Sequence, residues 1–194
     1  MKVIFLDHDG VICLSTEWGS RRNKQKKWDG KKLSMTLDEF PLEYRFDNFN
    51  KKAVKILNEI IEQTNCEIVI SSDWKNWCTV EEMGIYYESQ GIIKKPIDFT
   101  PSENDCTIQG DNFMWSKEWG LEQSRSIEIK QYLNDHPEIT HWVSADDLNM
   151  GKNITHYSMN YERDWGLDNF VLTSKPNEGI KQSGIKEKIL KFLK

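Results

Sequence analysis

Cysteine is scarce and scattered: Cys13, Cys66, Cys78 and Cys106 are the only four in 194 residues. They form no Cys-x-x-Cys pair and have no histidine at zinc-finger spacing, which argues against a structural zinc site. The chain is long enough to bury a core without a disulfide framework, so the thiols are read as reduced and the protein as cytoplasmic. Long apolar runs are missing as well. The amino terminus carries only four consecutive apolar residues, Val3 to Leu6, far short of a secretory segment or a membrane span, and no membrane partner is expected. Nor is there an excess of positive charge. With 26 basic and 31 acidic residues the net charge is −5, which excludes a protein that coats nucleic acid with its whole surface. No internal repeat or low-complexity tract is present.

What the chain has is alternation. Val3–Leu6, Glu67–Ile70, His141–Ala145 and Asn169–Thr173 are short apolar runs of the kind that form buried parallel strands. Between or after them lie helical patterns. Residues 51–63 place Ala53, Val54, Ile56, Leu57, Ile60 and Ile61 on one stripe, 126–134 repeat this with Ile127, Ile129, Tyr132 and Leu133, and 185–193 close the chain with Ile185, Ile189, Leu190 and Leu193. Strands alternating with helices predict an α/β sheet, here as one domain over residues 1–194.

The gaps between strands carry surplus chain. About sixty residues separate the first two strands and about seventy the second and third, where a crossover needs only a dozen or so. The surplus follows the carboxyl ends of strands, the edge at which open α/β sheets bind ligands. One insertion, near 15–50, is basic: residues 21–32 hold seven cations (Arg21, Arg22, Lys24, Lys26, Lys27, Lys31, Lys32) and one acid, Asp29. The other, near 75–122, is rich in aromatics, with Trp77, Tyr86, Tyr87, Trp115 and Trp119. Either reads as a small cap or as a decorated loop.

Acids and hydroxyls gather at the strand ends. The first strand runs into Asp7-His8-Asp9-Gly10, the second into Ser71-Ser72 and the third into Asp146-Asp147. Side chains alternate in extended backbone, so Asp7 and Asp9 project together and His8 points away, toward packing. Adjacent carboxylates repel unless a cation or a shared proton compensates, and hard carboxylate oxygens suit Mg²⁺. Each pair alone is commonplace, and Asp146-Asp147 could merely cap a helix. Their joint placement after three buried strands points to one shared crevice.

These residues resemble a known family. Val-Ile-Phe-Leu-Asp-His-Asp-Gly-Val is similar to the first motif of the haloacid dehalogenase-like (HAD) hydrolases, Ile-Val-Ile-Ser-Ser to the second and Val-Ser-Ala-Asp-Asp to the fourth. Ser-Ser-Asp-Trp-Lys, the stretch from Gly91 to Pro101 and residues 125–133 further resemble small HAD proteins associated with nucleic-acid repair. The resemblance implies a three-layer, Rossmann-like fold with a central parallel sheet and small cap insertions. It implies that Asp7 is the nucleophile forming an aspartyl-phosphate and Asp9 the general acid and base. It places Asp7, the Asp9 backbone carbonyl, Asp146 and Asp147 around Mg²⁺, and Ser71, with Ser72 as the alternative, on a phosphoryl oxygen. The phosphate-binding cation falls on Arg125 or Lys130; Arg125 is preferred because it is expected at a helix amino terminus, which favours anions.

Three functions fit. The first is a Mg²⁺-dependent phosphatase acting on a nucleotide, as a nucleotidase does, or on a phosphorylated nucleic-acid end. The basic insertion, flanked by Trp18 and Trp28, favours it, because cations interleaved with aromatics suit phosphates and stacked bases. The second is a phosphatase of a small non-nucleotide metabolite. The third, an idle polyanion-binding protein, has no use for four acids beside the phosphate.

Overall fold

The computed structural model describes residues 1–28, 36–108, 120–156 and 159–194, with the backbone alone for 154–156 and 159–161. Asp29, Lys31 and Lys32 of the basic insertion, and Trp115 and Trp119 of the aromatic one, lie outside the described residues. In chain order the elements are β1 (Lys2–Leu6), α1 (Ser20–Lys27), α2 (Leu42–Arg45), α3 (Lys51–Thr64), β2 (Glu67–Ile70), α4 (Val80–Ser89), β3 (Asp98–Phe99), α5 (Gly120–Asp135), β4 (His141–Asp146), β5 (Asn153–His156), β6 (Met159–Glu162), β7 (Phe170–Leu172) and α6 (Ile185–Leu193), with short 3-10 turns between several of them.

Five strands form one parallel sheet in the order β3-β2-β1-β4-β7, and β5 pairs antiparallel with β6 as a separate hairpin. β1 is central. Val3 to Leu6 pair with Glu67 to Ile70 on one side, and Lys2 to Leu6 pair with His141 to Ala145 on the other. The sheet is buried on both faces, which is why Val3–Leu6 of β1 and Ile68–Ile70 of β2 read as unbroken apolar runs. Ile4, Leu6, Ile68 and Ile70 pack with Leu57 and Ile60 of α3, Met83 of α4 and Ile189 of α6. Val3, Phe5 and Val69 pack on the opposite face with Ile129 and Tyr132 of α5. The result is the three-layer α/β arrangement expected of a HAD fold.

The helices follow from sequence in different ways. α3 is amphipathic and opens on Asn50, whose side chain accepts from the backbone N–H groups of Lys52 and Ala53. α4 opens on Thr79, with Glu82 closing a reciprocal capping box. α1 has no apolar residue at all; polar tethers to residues 44–48 hold it. The first turns of α5 are polar apart from the exposed Leu121, so the apolar pattern does not mark them, and the helix is described from Gly120, six residues before that pattern. That places Arg125 inside the helix rather than just ahead of it, so the terminal-dipole reason for preferring Arg125 does not apply.

Candidate active site

The ladder of the parallel sheet extends one residue past the strands. Asp7 N–H donates to the Ala145 carbonyl at 3.1 Å, Ser71 N–H to Leu6 at 3.0 Å and Thr173 N–H to Asp146 at 2.8 Å. These bonds fix Asp7, Ser71 and Asp146 side by side along the carboxyl edge, the edge at which open α/β sheets bind ligands. After Asp7 the chain reverses over His8, whose carbonyl accepts from the N–H groups of Val11, Ile12 and Cys13. Gly10 makes that reversal with φ of +70°, and a Cβ there would stand 2.3 Å from Oδ2 of Asp147. Only glycine lets the loop and the fourth-strand acids come this close.

Three carboxylates converge. Oxygens of Asp7, Asp146 and Asp147 lie within 4.8 Å of one another, with Asp7 and Asp146 buried and Asp147 half-buried. Arg125 is the cation bonded to this group among the described residues. Its Nη1 lies 2.9 Å from Oδ2 of Asp146 and 3.2 Å from Oδ1 of Asp7, and Nη2 lies 3.3 Å from Asp73. Asp73 is an exposed partner of Arg125, in the first turn of a short 3-10 element whose cap position is Ser72. Lys130, one turn further along α5, points elsewhere and donates to the Asp164 carbonyl at 2.8 Å. Burial raises the Asp7 carboxyl well above its ordinary value, Asp146 adds to the rise, and Arg125 opposes it. Burial likewise pushes Asp146 up to about 6, with Arg125 again opposing, and raises Asp147. Burial works against the Arg125 charge, but Asp7 and Asp146 more than restore it.

The carboxylate of Asp9 lies outside this cluster. Its Oδ2 accepts a 2.8 Å hydrogen bond from Nε1 of Trp74, and the Cys13 thiol is a second neighbour. Burial raises its pKa, and the bonds from Trp74 and Cys13 only partly offset that. Trp74 is itself held by rings. It stacks on Phe46 at 4.8 Å and Phe49 at 5.5 Å, and the His8 imidazole lies 4.6 Å away. His8 is wholly buried and turned from Asp7, with Nε2 2.7 Å from the Tyr87 hydroxyl. Burial, reinforced by the charge of Arg125, lowers its pKa to about 3, so it stays neutral and packs.

Ser71 and Ser72 are both buried at the end of β2. The Ser72 hydroxyl is near enough to Asp7 to lower its pKa, whereas Ser71 Oγ has no hydrogen-bond partner among the described residues. A buried hydroxyl without a protein partner is rare; the Ser144 hydroxyl of β4 is another. Sequence reading gave no role to Trp74 or Tyr87; the one available signal was a donor-only indole two residues beyond the hydroxyl pair.

A family model, the HAD domain in Swiss Army Knife RNA repair proteins, matches residues 3–184. The chain belongs to that family. No curated protein and no solved structure matches it significantly. Membership makes a HAD-type hydrolase in an RNA-repair context the coarse functional statement. HAD enzymes generally use Mg²⁺, and the three-aspartate cluster of this domain has the hard oxygen donors such an ion takes. No helix among its described residues is long and apolar enough to cross a membrane.

Proposed function

We propose that this HAD domain is a Mg²⁺-dependent phosphomonoester hydrolase that works through an aspartyl-phosphate on Asp7, with a nucleotide or a phosphorylated nucleic-acid end as substrate. The observation that carries the reading is the convergence of Asp7, Asp146 and Asp147 on Arg125 beside the unpartnered Ser71 hydroxyl, at the carboxyl ends of three adjacent strands. One guanidinium against three carboxylates leaves an excess of negative charge, which a divalent ion held by Asp7, Asp146, Asp147 and the Asp9 carbonyl would neutralise. When bound, the ion supplies screening for the incoming phosphate and polarises it.

The protein groups divide the remaining work. Ser71 and Arg125 bind phosphoryl oxygens and orient them. The Asp7 carboxylate attacks phosphorus, the bond to the ester oxygen breaks, and Asp9 gives that oxygen its proton. Water then attacks the phosphorus of the aspartyl-phosphate and yields its proton to Asp9, releasing inorganic phosphate and regenerating both acids. Trp74 fits this as a positioning residue. An indole N–H can only donate, so it holds Oδ2 of Asp9 as an acceptor and leaves the proton to Oδ1.

Phosphate release from an aryl phosphate, mononucleotides and oligonucleotides phosphorylated at either end, with and without Mg²⁺, tests the reading. Release that ignores Mg²⁺, or none from any ester, overturns it. Asp9→Asn should cost about 10²–10⁴-fold on alkyl esters and far less on the aryl ester, whose leaving group needs little proton assistance. Trp74→Phe keeps the ring stack and removes the donor. It should slow alkyl esters by about tenfold and move the alkaline limb of the pH–rate profile upward, because the lost bond had been lowering the Asp9 pKa. An unchanged pH profile would leave Trp74 a packing residue only.

A further inference from the structure

α1 presents a problem of stability. Its eight residues, Ser20–Lys27, include no apolar side chain and bury none, so the packing that stabilises most protein helices is absent. It is held instead by polar tethers. Asp47 Oδ1 accepts from Arg21 N–H at 2.6 Å and from the Ser20 hydroxyl, Lys24 donates to the Phe46 carbonyl at 2.8 Å and to Asn48, and Gln25 donates to the Tyr44 carbonyl. Those contacts employ one side of the helix. Arg22, Lys26 and Lys27 take no part in these tethers; they are exposed and make no ion pair among the described residues. Lys26 and Lys27 complement the helix dipole at the carboxyl end, but Arg22 lies in the first turn, which holds no acid and where a cation is unfavourable. The Arg22 charge does not serve the helix.

The same segment borders the site. Trp18, 49% exposed, donates from Nε1 to the Cys13 carbonyl, and Cys13 is bridged to Asp9. Arg21 is close enough to Asp9 to lower its pKa. The other candidates in the stretch are used internally: Trp28 lies against Phe40 and Tyr44, and Lys24 over the ring of Tyr86. We propose that Trp18 and the Arg22–Lys26–Lys27 face of α1 form a docking strip for a single-stranded nucleic acid whose phosphorylated end lies at Asp7. Trp18 stacks the base next to the site, and the three cations hold phosphates further along the strand. The strip rests on the proposed phosphatase reading but is testable apart from it.

The experiment is a binding titration of the full chain with labelled phosphorylated oligonucleotides, RNA and DNA, and with inorganic polyphosphate as a base-free polyanion. Aryl-phosphate turnover is followed in parallel. The combined variant Arg22→Gln, Lys26→Gln and Lys27→Gln should weaken oligonucleotide binding about tenfold or more. It should also flatten the slope of log K against log salt by about 2, at ~0.7 per phosphate contact for a single strand. Aryl-phosphate turnover should be unchanged. Trp18→Ala should weaken oligonucleotide binding about tenfold and leave polyphosphate binding alone, with Trp18→Phe restoring most of the loss. An unaltered salt slope, or a Trp18→Ala variant that binds oligonucleotide as before, overturns the strip. If the wild type hydrolyses no phosphate ester yet these binding effects appear, the strip stands and the phosphatase reading fails.

Discussion

Asp7→Asn should abolish turnover and, in metal-free buffer at pH 7.5, raise the melting temperature. The amide cannot attack phosphorus, and loss of the nucleophile in a covalent hydrolase costs about 10⁴-fold or more. The stability effect has the opposite sign because the wild-type carboxyl is held above its ordinary pKa by burial and by Asp146. A group with a raised folded-state pKa contributes most below its unfolded value, about pH 4, and that contribution is lost as pH rises through the raised value. The asparagine does not ionise. The two melting curves should therefore nearly coincide at pH 4 and separate in favour of the variant by pH 7.5. Phosphate release and thermal melts across this range measure both halves. Residual turnover near wild type removes the covalent mechanism, and a lower melting temperature at pH 7.5 removes the account of strain at Asp7.

Arg125→Met should be the most destabilising single change at the site. Arg125 bonds Asp7, Asp146 and Asp73 from a largely buried position, with 12% of its side chain exposed. Removing one partner from a buried ionic group typically costs about 3–5 kcal/mol, roughly 10 °C in melting temperature for a chain of this length. The deficit should be larger at pH 7.5 than at pH 5. Arg125 stabilises the ionised carboxylates, and Asp146, with a pKa of about 6 in its presence, is mostly protonated at the lower pH. Millimolar Mg²⁺ should restore part of the loss by compensating the same oxygens. Turnover should fall by about 10²–10³-fold as the phosphate loses a fixed cation. A deficit equal at both pH values and indifferent to Mg²⁺ would make Arg125 a packing residue.

The sheet was legible because its strands are buried on both faces. Val3–Leu6 and Ile68–Ile70 offer no polar residue that could face water, so their apolar runs mark them directly, as do the stripes of α3 and α6. Elements stabilised by something other than apolar periodicity were not. β3 has two residues, and β5 and β6 form a hairpin outside the main sheet. α1 has only polar tethers, and the first turns of α5 carry a single apolar residue, the exposed Leu121. α4 left a signal that went unread, the Thr79–Glu82 capping box. At the site, the acids and hydroxyls were visible because chemistry-bearing residues stood directly after strands. Trp74 was not, because its significance is a hydrogen bond to a residue 65 positions away, and nothing local to Ser-Ser-Asp-Trp-Lys shows which acceptor its indole will meet.

The central place of β1 has a consequence for when this chain becomes competent. Lys2 pairs with His141 and Leu6 with Ala145, so β1 waits for a partner strand about 140 residues further along the sequence. Contacts of such long sequence separation close late, after the local helices and the adjacent β1–β2 pairing. Until that closure, a nascent or clipped chain carries Asp7 without its partner acids and without Arg125. On the proposed reading, hydrolysis of phosphate esters is thereby tied to closure of the β1–β4 pair, and a chain that lacks β4 should be inert.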